Sequence, residues 1–169
     1  GSTFSGGNIK NSTINVQSTG ANIVRVPSVR VYNSTTFALS TASAVQVLSF
    51  DAQQHISETG LHSTASNSSR LIPTVAGVYA IGANVVFPGG GNGLFRNLSI
   101  NVVNGSSNFT VGAQQVTSTA QCLLNVQAQW SLSTTDYVRI SVQTDSTVSL
   151  SLSSGVSGQG AWMTFMGAT

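Results

Sequence analysis

The chain has 169 residues, enough for one domain with a single core and a short extension. Hydrophobic residues make up 40% of it and charged residues only 6%, against a usual ~25% charged, so it is not a disordered composition and its surface must be built from Ser, Thr, Asn and Gln. The six basic residues are dispersed and the net charge is +2, which leaves no basic patch for nucleic acid; the single Cys122 excludes an intrachain disulfide framework, and no run reaches transmembrane length.

Residues 1–27 differ from the rest. Ile9, Ile14 and Val16 stand isolated among Gly, Asn, Ser and Thr, too few to build a core. Two readings stand: a flexible linker, or an extended shaft in which three chains share those apolar residues along an axis, with Val24-Arg25-Val26-Pro27 as the neck. The globular part spans 28–169.

From Val29 the strands come at the spacing of a β-sandwich. Val29–Asn33 reads as the first and Ala44–Phe50 as the second, with Val45 and Val47 opposite Leu48 and Phe50. A polar stretch from Asp51 to Ser69 reads as loop, and Arg70–Ile72 as a short strand. Pro73-Thr74-Val75-Ala76-Gly77 is a turn, since Pro fixes φ and Gly permits φ > 0. Val78–Phe87 then alternates. Tyr79, Ile81, Ala83, Val85 and Phe87 form one large apolar face; Val78, Ala80, Gly82, Asn84 and Val86 form a small one. A strand with so little charge on either face is covered on both sides, here by a second sheet and by a neighbouring subunit.

Pro88–Gly93 reads as an exposed loop and Leu94–Val103 as a strand whose apolar face is interrupted by Arg96. Asn104-Gly105 is the strongest hairpin signal. Ala120–Leu132 alternates cleanly, with Cys122, Leu124, Val126, Trp130 and Leu132 inward; its length predicts a bend or bulge. Tyr137–Gln143 and Thr147–Leu152 follow, then a flexible Gly155–Gly160 loop. Ala161–Met166 is apolar on both faces, as a central strand would be. The expected core holds Phe50, Tyr79, Ile81, Val85, Leu124, Trp130, Ile140 and Trp162. No helical period of useful length is present.

Four groups of residues carry a family resemblance: Ser49-Phe50-Asp51, Thr59-Gly60-Leu61-His62, Asn67-Ser68-Ser69-Arg70-Leu71, and Ala76-Gly77-Val78-Tyr79 with its alternating strand. Together they resemble the C1q/TNF-like head domain, most closely the versions in bacteriophage fibre and appendage proteins. The resemblance implies an all-β jelly-roll sandwich in a compact trimer, with the N-terminal segment as neck or shaft and the last strand near the trimer axis. Val78, Ala80, Val86, Met163 and Phe165 are the expected trimer interface. The implied function is a virion structural protein, the head of a phage fibre, tail appendage or capsid spike. It would adhere to a host surface or decorate the virion, an extracellular setting. Its partners would be two further copies, a host-surface glycan or other receptor, and other virion proteins through the N-terminus, with no nucleic acid and no membrane insertion. The alternative is a secreted C1q/TNF-type trimeric ligand or a bacterial surface adhesin, although no collagen-like G-X-Y repeat is present.

Residues with chemical potential are few. His55 and His62, with Asp51 and Glu58, match no metal-ligand spacing, so no metal and no cofactor are expected. There is no G-x-S-x-G elbow, and nothing marks two of Asp51, Glu58, Asp136 and Asp145 as a catalytic pair, so the chain is not expected to be an enzyme. Gly89–Gly93 lacks the Lys-Ser/Thr of a P-loop. Recognition is expected on the loops His55–Ser69, Pro88–Gly93 and Gly155–Gly160, with His55, His62, Asn67 and Asn92 as contact residues. So neutral a surface favours neutral glycans and binding that changes little with salt.

Overall fold

Alternating short runs of Val, Ile and Leu fold the chain into strands rather than helices. The structure, a computed structural model, describes residues 25–39, 44–90, 95–146, 150–155 and 157–168. The shaft-or-linker reading of 1–24 therefore falls outside the described residues, as does Asn92. Among the described residues there are eleven strands and no helix, so no helix is long and apolar enough to cross a membrane. They are β1 (Ser28–Tyr32), β2 (Phe37–Leu39), β3 (Gln46–Val47), β4 (Ala52–Ile56), β5 (Gly77–Phe87), β6 (Phe95–Asn104), β7 (Ser107–Thr117), β8 (Cys122–Leu132), β9 (Tyr137–Thr144), β10 (Leu150–Leu152) and β11 (Gln159–Gly167).

A five-stranded sheet has the order β4-β1-β11-β5-β8, a four-stranded sheet the order β3-β9-β6-β7, and β10 pairs with β2. All pairings are antiparallel. The first and last long strands lie side by side, Val31 opposite Ala161. The core draws on both large sheets: Val29, Val31, Tyr79, Ile81, Leu124 and Met163 from one, Leu98, Ile100, Val102, Val138 and Ile140 from the other. Tyr79 meets Phe165 edge to face at 5.4 Å and donates its hydroxyl hydrogen to the Val75 carbonyl at 2.8 Å. That bond ties the Pro73–Gly77 turn to the strand it introduces. Burial raises the Tyr79 phenol pKa above its usual value.

Several expectations are corrected. The stretch after Asp51 is not all loop, because Ala52–Ile56 forms the edge strand β4. Ala44–Phe50 pairs only at Gln46–Val47. β8 needs no bulge: it pairs with β5 without interruption from Gly77↔Leu132 to Phe87↔Cys122. Irregularities fall instead at Arg30/Val31, Ile100/Asn101 and Phe165/Gly167. The hairpin forms where Asn104-Gly105 signals it, but Asn104 pairs with Ser107, so Gly105-Ser106 make the turn. Gly105 has φ 56, the first-position glycine of a type II′ turn. Met163 is fully buried and Phe165 packs on Tyr79, so both face the core and neither belongs to an outward contact face.

Both tryptophans leave the expected core. Trp130 stands opposite Tyr79 on the inward side, yet β8 is an edge strand and the residue remains 42% exposed. Trp162 points to the other side of β11, between the inward Ala161 and Met163.

Arg96 is an apparent interruption that the core absorbs. It is fully buried, and its guanidinium donates to the carbonyls of Pro88 and Gly90 (the latter at 3.1 Å). It also lies 5.7 Å from the centre of the Phe87 ring. A buried cation costs little only when its N–H groups find acceptors; loop carbonyls supply them to the two terminal nitrogens, while Nε is left without one.

The Gly155–Gly160 stretch is held rather than loose. Gln159 is fully buried, accepts from Asn33 Nδ2 at 2.9 Å and donates to the Leu152 carbonyl at 3.2 Å. Gly158 and Gly160 are buried beside it, which withdraws half of that expected recognition loop from solvent.

Candidate functional site

The outward face of the five-stranded sheet can be built row by row from the strand register. One row runs His55–Arg30–Trp162–Gly82–Gln127 across β4, β1, β11, β5 and β8. The next runs Ser28–Thr164–Ala80–Gln129 across β1, β11, β5 and β8. Trp162 is the one large ring in these rows, and Gly82 is what lets it lie down. A Cβ at position 82 would sit 2.3 Å from Trp162 Cε2, so any other residue there would lift the indole off the sheet.

The ring divides two shallow depressions. One, about 260 Å³, is lined by Ala80, Gln127, Ala128, Gln129 and Trp162. The other, about 390 Å³, is lined by Ser28, Val29, Arg30, His55, Trp162 and Thr164. Arg30 is the only residue of permanent charge in the two rows. Val78, Ala80 and Val86, expected at a subunit contact, do lie half-exposed on this side, and Leu123, the cross-strand partner of Val86, is 58% exposed. The face is therefore broad, nearly uncharged, and studded with apolar groups that a solvated sheet face would not carry.

Of the residues expected to contact a receptor, the three that are described, His55, His62 and Asn67, do not form one surface site. His55 is exposed on β4, with Nε2 3.0 Å from Ser28 Oγ, and belongs to the Trp162 face rather than to a loop. His62 is buried, and both of its ring nitrogens are engaged. Gln53 Nε2 donates to Nδ1 at 3.0 Å, which leaves Nε2–H to donate to the Ser68 carbonyl at 3.1 Å. Burial pushes the His62 pKa below its usual value, and the Ser68 bond offsets this only in part. His62 is a strut inside the loop, not a contact on its surface. Asn67 is exposed at φ 52, a left-handed position that Asn tolerates, and its carbonyl accepts from Arg70 N at 2.9 Å.

The carboxylates are each occupied locally. Asp51 accepts from Ser34 N at 2.7 Å and Ser34 Oγ at 2.8 Å, and the backbone bond chiefly lowers its pKa. Glu58 accepts from Thr74 Oγ1. Asp136 accepts from Asn104 Nδ2 and Ser133 N, both at 2.7 Å, and Asp145 from Phe95 N at 2.7 Å. Among the described residues no three of His, Cys, Asp or Glu converge where a metal could sit. Cys122 is a free, half-buried thiol packed against the core.

Sequence reasoning missed Trp162 as a surface residue. The usable signal was the small-residue face of β5: Ala80 and Gly82 leave room for one large neighbour. The register that makes Trp162 that neighbour is not readable from the sequence.

This architecture is the C1q/TNF-like jelly roll. No protein-family model and no curated protein matches the chain. Among solved structures it is similar to murine APRIL at pH 5.0, with a TM-score of 0.63 and 11% identity over 84% of this chain and all of that one. The murine APRIL structure at pH 8.5 gives a TM-score of 0.62 at 10% identity with the same coverage. The globular domain of zebrafish complement 1qA protein gives 0.55 at 13% identity, covering 83% of this chain and 96% of that one. At such identities the likeness establishes the fold alone.

Proposed function

We propose that this chain is a homotrimeric, extracellular recognition head, and that its setting is a virion: a phage fibre, tail appendage or capsid spike that binds a host surface. The observation that carries the reading is the outward face of β4-β1-β11-β5-β8. A flat sheet face with a half-exposed indole, flanking depressions and a single permanent charge is suited to burial against a copy of itself. In this reading the contact residues are Trp162, Val78, Ala80 and Val86, with Leu123 at the rim. The virion setting is supported by the 6% charged composition, which makes the surface indifferent to salt and pH, and by the shaft-like composition of the first 27 residues. Adhesion would work by avidity, with three weak sites per head multiplied over an array. Asn67 and the Pro88–Gly90 loop remain the exposed candidates for contact.

Sedimentation of the chain at micromolar concentration tests the assembly. A trimer is expected, and Trp162→Ala should sediment as a folded monomer. A wild-type chain that is a stable, folded monomer overturns the proposal. A second reading, a secreted C1q/TNF-type ligand, draws on the fold shared with murine APRIL and zebrafish complement 1qA. Antibody labelling of purified particles separates the two: label on virions supports the first, and label only in a secreted fraction supports the second.

A further inference from the structure

We infer that Arg70 and Arg139 form a binding site for the carboxylate of an acidic sugar, on the side of the sandwich away from Trp162. Leu71 and Val138 make an isolated antiparallel bridge, Leu71 N to Val138 O at 3.0 Å and Val138 N to Leu71 O at 2.8 Å. Both are buried, so the next residues outward, Arg70 and Arg139, stand directly opposite one another on the outer side. Like charges placed directly opposite destabilise a strand pair.

The chain has six basic residues in all, and two of them meet here. Both guanidiniums lie over the ring of Tyr137, Arg70 at 4.2 Å and Arg139 at 5.7 Å from its centre. The ring's π-face offsets part of the repulsion but accepts no directed hydrogen bonds of the kind a guanidinium fork makes. Among the described residues neither arginine has a carboxylate partner, and Arg139 Nε is buried with no hydrogen-bond acceptor at all. The adjacent Asp136 does not neutralise them, because its oxygens are taken by Asn104 Nδ2 and Ser133 N. Two guanidiniums bordering one ring, with no carboxylate partner among the described residues, are open to a planar carboxylate.

The surroundings select the rest of the ligand. Among the described residues, Arg30 lies on the other sheet, Arg25 precedes β1 and bonds the Ser57 carbonyl, and Arg96 is buried, so no basic track is offered to a polyanion there. Arg139 has Asn101 as its cross-strand partner, and the face beyond is mostly uncharged polar residues, Ser99, Ser141, Thr110, Gln115 and Gln143, with Val47, Val103 and Ala113 among them. One acid group followed by neutral hydrogen-bonding surface is the complement of a uronic or sialic acid. The site departs from the neutral-glycan expectation, and it does not depend on trimer assembly, since one chain carries all of it.

Titration calorimetry of the full chain with D-glucuronate, D-glucose and acetate tests the assignment. Glucuronate should bind, glucose should not, and acetate should bind at least about tenfold more weakly than glucuronate. Arg70→Gln and Arg139→Gln should each weaken glucuronate about tenfold or more, the scale of one charge-assisted bond. Arg25→Gln, at a basic residue outside both this pair and the Trp162 face, should leave binding unchanged. Because the pair repels, neither loss should lower the melting temperature. Equal binding of glucose and glucuronate, no glucuronate binding at millimolar concentration, or undiminished binding by both variants overturns the site. Acetate binding as tightly as glucuronate overturns the sugar assignment. A lowered melting temperature in both variants with unchanged affinity would make the pair structural and likewise overturn it.

Discussion

The two outward faces of the sandwich draw on the same uncharged residues and finish differently. On the four-stranded sheet, Asn101 Nδ2 donates to Ser99 Oγ at 3.3 Å and Ser141 Oγ at 3.0 Å, and its Oδ1 accepts from Thr110 Oγ1 at 2.9 Å. That cluster satisfies its own polar groups and needs no cover, although Arg139 beside it keeps a buried Nε without an acceptor. On the five-stranded sheet the central residue is an indole laid over a glycine, with Arg30 and Thr164 as its polar neighbours and Val78, Ala80 and Val86 beside it on β5. Self-satisfied polar groups leave a sheet content in water, whereas an apolar ring on a flat face is stabilised by being covered. Composition cannot distinguish the two; the position of one Trp and one Asn does.

The strongest way to break the contrast is Gly82→Leu. The new side chain would collide with the indole, and overpacking of this kind costs about 1–3 kcal/mol. Assembly should be lost altogether in sedimentation while the circular dichroism spectrum stays that of a β-sandwich. Asn101→Ala attacks the opposite face. It removes the donor to Ser99 Oγ and Ser141 Oγ and the acceptor of Thr110 Oγ1, and should cost about 1–3 kcal/mol in urea unfolding with the oligomeric state unchanged. Trp130→Ala sharpens the comparison at the edge. Because the residue is 42% exposed, its loss should fall below the ~3–5 kcal/mol of a fully buried ring. A thermal melt matching a core deletion would show that the edge is closed by something else.

The smallest effect expected is at His62. Its pKa is lowered in the folded chain, so the unfolded chain binds the proton more readily. The stability it contributes is present above the ordinary value of 6.5 and is lost as pH falls through the lower folded value. Urea midpoints at pH 7.5 and pH 5.0 should differ slightly for the wild type. His62→Gln should remove that part of the difference, and an unchanged pH dependence in the variant would assign it elsewhere.

Much of the fold was legible because it rests on period-two alternation. β5, β8, β9 and β11 follow from their own residues, and the resemblance to the C1q/TNF-like head agrees with the jelly roll observed. What escaped depends on contacts between distant segments. Ala52–Ile56 is polar and mostly exposed, so an edge strand there carries no alternation to detect. Trp162 sits in a run apolar on both sides, and only the pairing with Gly82 says which side is which. His62 looks like a surface loop residue until Gln53 and Ser68 close over it. The Arg70–Arg139 pair lies across a single bridge between residues nearly seventy positions apart, which no local pattern reports.

Arg96 has a consequence for how this molecule can vary. Its guanidinium grips the loop after β5 through the carbonyls of Pro88 and Gly90, and Gly90 N is held in turn by the Thr119 carbonyl at 2.9 Å. Every amino acid has a carbonyl, so the grip reads no side chain. Of the described loop residues, Gly90 is held to glycine by its φ of 90 and Gly89 is crowded by Gln121 N, 3.2 Å from where a Cβ would sit, whereas the grip itself places no demand on side chains. A loop whose footing does not depend on its side chain chemistry is a place where a fold can vary at little structural cost.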